Sequence, residues 1–166
     1  MTRQSDPASR WEVSPIGIVH SPFHGQADIP RQPAFAGERA IGTVTVFPPY
    51  AGGLADLEGF ERIWLVCWLD RAREPRMRVT PYLETGERGL FSTRSPNRPN
   101  PIGISPVRLL RREDAVLHVA DLDLLDGTPV LDIKPYVPRI DAFPDSGEGW
   151  IRHRNDLPKG PGHEAT

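Results

Sequence analysis

Nineteen prolines and fifteen glycines fall between the apolar runs of this sequence and cut it into short pieces. Proline fixes φ and lacks an amide donor, and glycine weakens the interior of any regular element. No long amphipathic helix survives this punctuation. The runs that remain are β-branched or alternating, and each is short enough for a single strand.

Read along the chain, strands are expected at Ile16 to His20, Ala40 to Phe47, Phe60 to Leu69, Met77 to Tyr82 and Val130 to Tyr136. Ile104 to Leu110 and Ala115 to Val119 flank Arg111-Arg112-Glu113-Asp114 and are expected to form a hairpin. Leu54 to Gly59 has room for one helical turn. Several short strands separated by turn signals predict a mainly β domain, a small barrel or curled sheet. The 166 residues suit one domain with a real core.

Composition narrows the class further. A lone cysteine, Cys67, sits inside the strongest apolar run, which allows no internal disulfide and suggests a buried structural thiol. The first ten residues are polar and lack the apolar core of a signal peptide, so a cytoplasmic location without membrane insertion is expected. The formal net charge is only −2, but it is unevenly spread. From residue 62 to 112 there are eleven arginines and four acids. Such a split can build a local anion-binding face on an acidic protein, or a set of solvated loops.

Four segments carry candidate chemistry. In Phe91 to Gly103, Pro96, Pro99 and Pro101 stiffen a loop that presents Arg94, Asn97, Arg98 and Asn100, either as a pre-set ligand grip or as a rigid surface crossing. Asp121, Asp123 and Asp126 alternate with Leu122 and with Leu124-Leu125 before the turn signal Asp126-Gly127. Carboxylates there could accept hydrogen bonds from a ribose, an adenine amine or an ammonium group, or form an acidic turn only. Pro30, Arg31 and Gln32, followed by Pro33, form another proline-framed polar pair, and Asp70-Arg71 stands just beyond the long apolar run. No G-x-G-x-x-G follows a strand and no phosphate-binding P-loop occurs, so a Rossmann-type enzyme is unsupported. The five histidines show no metal-ligand spacing with Cys67, and no metal is expected.

Taken in order, these segments resemble the TsaA-like (TrmO/YaeB) family of tRNA methyltransferases. The resemblance is carried by Ile16-Gly17-Ile18-Val19-His20-Ser21-Pro22-Phe23, Pro30-Arg31-Gln32-Pro33, Leu57-Glu58-Gly59-Phe60 and Ile63-Trp64-Leu65. It continues in Thr93-Arg94-Ser95, Arg98-Pro99-Asn100-Pro101-Ile102-Gly103 and the stretch from Asp123 to Tyr136. It spans about residues 14–141, leaving 1–13 as a flexible lead and 142–166 as a polar tail. It implies a single-sheeted β-barrel, a homodimer, and S-adenosylmethionine bound outside a Rossmann fold. It implies methylation of the exocyclic amine of threonylcarbamoyladenosine next to the anticodon in tRNA. Carried over by position, Pro30, Arg31, Gln32, Asp70, Arg71, Arg94, Ile104, Asp121, Leu122, Asp123 and Leu124 would line the cofactor. The Asp70-Arg71 pair departs from the family's usual His-Gln. Longer family members carry a further C-terminal domain that helps hold tRNA.

Methyl transfer from a sulfonium is a positioning problem, and a carbamoylated amine benefits from an acceptor for its proton. Asp126 is the expected acceptor, with Arg98 and Asn100 on the substrate and Arg94 available to an anionic group. Three alternatives compete: a cofactor- or RNA-binding module without catalysis, a methyltransferase acting on a small molecule or protein, and an interaction protein that dimerises through its sheet.

Overall fold

A computed structural model describes residues 11–25, 40–81 and 85–153. Its centre is a closed antiparallel barrel of six strands in the order β1-β2-β7-β6-β3-β8. These are β1 (Gly17–His20), β2 (Gly42–Val46), β3 (Arg62–Trp68), β6 (Ile102–Glu113), β7 (Val116–Ala120) and β8 (Pro129–Pro135). A separate two-stranded ribbon, β4 (Arg78–Val79) with β5 (Arg88–Gly89), lies within the β3–β6 connection. The expected mainly β barrel is therefore the fold observed. The one α-helical turn, α1 (Pro138–Asp141), and four 3-10 turns complete the described elements. Among the described residues no helix is long and apolar enough to cross a membrane.

Strand alternation builds the core. In β3, Ile63, Leu65 and Cys67 point inward and are fully buried, while Trp64, Val66 and Trp68 face outward. Val19, Val44, Val46, Val107, Leu117, Val119 and Val130 fill the same interior. Leu54 and Leu57, on 3-10 turns, close one end, and Leu122 and Leu124 close the other. Register shifts at Val66/Cys67 and Leu109/Arg111 bend the strands where a six-stranded sheet must curl to close.

Two strand expectations need correction. The β6–β7 turn is only Asp114-Ala115, with Asp114 at φ 52°, and Arg111, Arg112 and Glu113 belong to β6. Aspartate tolerates the left-handed conformation, so a two-residue hairpin suffices. The strand expected from Met77 to Tyr82 shrinks to Arg78–Val79, because its partner, Arg88–Gly89, is equally short; Tyr82 lies outside the described residues. The helical turn expected at Leu54 to Gly59 is a 3-10 turn at Leu57–Gly59, and a longer, unexpected 3-10 turn, Pro48–Leu54, precedes it.

Candidate active site

The topology brings the motif-bearing loops to one end of the barrel. β1, β3 and β7 finish there, and β2, β6 and β8 begin there. The connections leaving this mouth run from His20 to Gly42, from Trp68 to Ile102 and from Ala120 to Pro129. They carry, in turn, Pro30 to Gln32, the Asp70-Arg71 pair with Arg94 to Asn100, and Asp121 to Asp126. Pro30, Arg31 and Gln32 themselves lie outside the described residues.

Direct contacts join the three connections. Ser21 donates its hydroxyl to the Leu124 carbonyl at 2.7 Å, and its amide donates to Asp126 Oδ1 at 3.1 Å. Arg71 Nη2 donates to the Asp126 carbonyl at 2.8 Å. The Arg73 amide donates to Asn97 Oδ1 at 2.8 Å, which ties the proline-rich loop to the end of β3. Gly127, at φ +81°, provides the left-handed turn, and a Cβ there would stand 3.4 Å from Arg71 Nη2. A Cβ on Gly42 would collide with the His20 carbonyl oxygen and with Leu122, so glycine permits the closest approach of β1, β2 and the mouth segment.

Two acids mark the mouth. Asp123 accepts the Ser105 hydroxyl at 2.6 Å. Burial pushes its carboxyl above the ordinary aspartate range, while the Ser105 hydrogen bond, a backbone hydrogen bond and the Arg94 guanidinium pull the other way. Below it, burial and the Asp123 charge push the Cys67 thiol up to about 12. A buried thiol held this high stays protonated at neutral pH, which agrees with a structural role. Asp126 is more open, with His20 Nδ1 and His24 Nδ1 each 3.8 Å from a carboxylate oxygen. Among the described residues no group of three or more His, Cys, Asp or Glu is placed to hold a metal ion.

A family model for the tRNA-methyltransferase O N-terminal domain matches residues 18–142. The chain belongs to this family. It is 49% identical over 137 residues to a probable S-adenosyl-L-methionine-binding protein of Pyrococcus abyssi, covering 82% of this chain and 74% of that one. It is 36% identical over 154 residues to the tRNA (adenine(37)-N6)-methyltransferase of Escherichia coli, covering 87% and 65%. The crystal structure of TrmO from Pseudomonas aeruginosa superposes with a TM-score of 0.72 at 40% identity, covering 86% of this chain and 63% of that chain. The chain thus spans a little under two thirds of both the E. coli enzyme and the P. aeruginosa TrmO chain.

Within this TrmO-family barrel the remaining motif residues separate by face. Leu122 and Leu124 turn into the core, so only their backbone reaches the mouth. Asp121, at φ 61°, turns outward and pairs with Arg62 at 2.8 Å and Arg108 at 3.8 Å, away from Asp123. Ile104 lies on the outer face of β6 opposite Val66, whereas its neighbour Ser105 faces inward. Asp70 and Asn100 are exposed on the rim. Arg98 Nη1 donates to the Thr93 carbonyl at 3.0 Å and to the Ser95 carbonyl at 3.4 Å, so it braces its own loop. Sequence reasoning missed Ser105, His20 and His24 as neighbours of the acids. A hydroxyl in the inward series Ser105, Val107, Leu109 was a usable signal; the two histidines gave none, since Pro22 between them breaks any helical alignment.

Proposed function

We propose that this chain transfers a methyl group from S-adenosylmethionine to the exocyclic amine of an adenine in tRNA. The finer assignment is threonylcarbamoyladenosine next to the anticodon. The observation that carries the reading is the union at one barrel mouth of two carboxyl groups, Asp123 and Asp126, with the guanidinium groups of Arg71 and Arg94. The chemistry of the mouth fits the cofactor. A sulfonium nucleoside with an amino-acid tail needs carboxylates for its hydroxyl and ammonium groups and a cation for its carboxylate. Family membership and the names of the relatives support the same reading.

When bound, S-adenosylmethionine supplies an electrophilic methyl group. Arg94 and Arg71 hold anionic groups at the rim, and the stiff loop from Pro96 to Pro101 keeps Arg94 in place without a large entropic cost on binding. Asp70 and the backbone of Leu122 to Leu124 border the cofactor in this reading, and the family resemblance assigns cofactor contacts to Pro30, Arg31 and Gln32 as well. As the amine nitrogen bonds the methyl carbon, the carbon–sulfur bond would break to leave a neutral thioether, and Asp126 would accept the proton that the amine gives up. His20 and His24, 3.8 Å from its Oδ1 and Oδ2 respectively, would pass that proton to solvent. Asn100 and Arg98 border the substrate side.

The chain works as a homodimer in this reading. The outer face of the β3–β6 pair sets Trp64 against Pro106, Val66 against Ile104 and Trp68 against Ile102, an apolar strip on which Ile102 and Ile104 are exposed. A tRNA substrate places the work in the cytoplasm.

The test is labelled methyl transfer to tRNA from cells lacking the protein, followed by nucleoside analysis. A methylated threonylcarbamoyladenosine is the expected product. Cofactor binding without transfer to any tRNA would favour a binding module, and label on a small molecule or protein would redirect the acceptor.

A further inference from the structure

Phe91 is 73% exposed in the β3–β6 connection, one of the three that leave the mouth, three residues before Arg94. It is not a loose side chain. It sits in the 3-10 turn Leu90–Ser92, whose Leu90 is anchored at 1% exposure. Thr93 donates its amide to the Leu90 carbonyl at 3.0 Å and its hydroxyl to the same oxygen at 2.8 Å. Ser92 donates its hydroxyl to the Gly89 carbonyl at 2.8 Å, and Trp150 Nε1 donates to the Ser92 carbonyl at 2.8 Å.

One side of the ring is already occupied. The Arg98 guanidinium lies 5.4 Å from the Phe91 centroid, held there by its bonds to Thr93 and Ser95. With one side backed by a fixed cation and most of the ring in solvent, Phe91 presents a rigid aromatic platform. Trp150, which holds the turn through Ser92, is itself paired with Arg88 at 5.3 Å. Seven arginines and four acids occupy the connection between β3 and β6, so this rim suits an anionic partner.

We propose that Phe91 stacks an unpaired nucleobase of the RNA substrate, next to the adenine that enters the mouth. Unpaired bases offer a flat face that a duplex hides, and single-stranded loops are read in this way by aromatic side chains flanked by arginine. Arg98 then acts on the substrate through Phe91, by fixing the ring and supplying positive charge behind it. The proposal rests on tRNA being the substrate.

The test uses the full chain saturated with S-adenosylhomocysteine and two probes: an anticodon-type RNA stem-loop and a blunt RNA duplex. Phe91→Ala is expected to weaken stem-loop binding by about tenfold, with duplex binding and cofactor affinity unchanged. Phe91→Trp is expected to restore stem-loop binding. Equal stem-loop affinity for Phe91→Ala and the unmodified protein would overturn the platform. So would conversion of a dimer to a monomer by Phe91→Ala, which would make the ring a subunit contact. Failure of the unmodified protein to bind either RNA, with the cofactor still bound, would instead remove the tRNA reading beneath it.

Discussion

Ser105 donates its hydroxyl to Asp123 at 2.6 Å, joining the inner wall of β6 to the segment that closes the barrel mouth. Burial holds the Asp123 carboxyl above the ordinary aspartate range. The folded state therefore keeps this proton more tightly than the unfolded chain does. The resulting stabilisation is complete below the unfolded pKa and is lost as pH rises through the folded one. Asp123→Asn retains an oxygen for Ser105 and removes the charge. Its melting temperature should match the unmodified protein in acid and exceed it increasingly toward neutral pH. Ser105→Ala should cost about 1–3 kcal/mol at neutral pH by removing one of the hydrogen-bond donors to a buried carboxylate. Thermal melts across pH check both.

Gly127 supplies the left-handed turn that lets the Asp126 carbonyl meet Arg71. An alanine at φ +81° should cost about 1–2 kcal/mol. Reshaping of the strained turn should move the Asp126 carbonyl away from Arg71 and lower cofactor affinity as well, since the added Cβ itself makes only an ordinary 3.4 Å contact with Arg71 Nη2. Denaturant melts and calorimetry read the two effects separately. An alanine variant as stable as the parent would show that the turn tolerates another conformation.

Cys67 is fully buried, and its thiol is pushed up to about 12. A thiol reagent at neutral pH should therefore leave the native protein unlabelled and label one thiol per chain in denaturant. Methyl transfer should survive prolonged exposure to the reagent. Rapid labelling of the native protein, with loss of activity, would bring Cys67 into the chemistry.

The outer strip of β3 and β6 makes a separate prediction. Ile102 is 43% exposed and faces Trp68 across the strand pair. In the proposed homodimer, Ile102→Glu should shift the sedimentation coefficient from dimer to monomer while circular dichroism stays unchanged. A charged residue is poorly tolerated in an apolar interface core, whereas on a free surface it costs little.

The barrel was legible because alternation and punctuation agree. Thr43 and Thr45 alternate with Val44 and Val46 in β2, which Pro48-Pro49 stops, whereas the unbroken apolar run marks β3 without telling its inward Ile63, Leu65 and Cys67 from its outward Trp64, Val66 and Trp68. The hairpin boundary was misplaced because Arg111, Arg112 and Glu113 look like a polar turn, yet an exposed strand end accepts charge freely. The ribbon partner Arg88–Gly89 left no trace, since two residues carry no periodicity. At the site, Asp123 and Arg94 were visible as members of dense motifs. Ser105 showed only as a hydroxyl in an inward apolar series, and its partner did not show, because closing the barrel, rather than sequence spacing, sets it against Asp123 eighteen residues away. Asp121 and Asp123 look equivalent in sequence and face different surfaces, which follows from the left-handed backbone at Asp121.

The most direct test of the account is a calorimetric titration of the purified chain with S-adenosylmethionine, run beside Arg94→Ala. The account predicts saturable heat at one cofactor per chain for the parent and affinity lower by about tenfold for the variant, through loss of a charge-assisted contact. Absence of heat with the folded parent, or unchanged affinity in the variant, would contradict it.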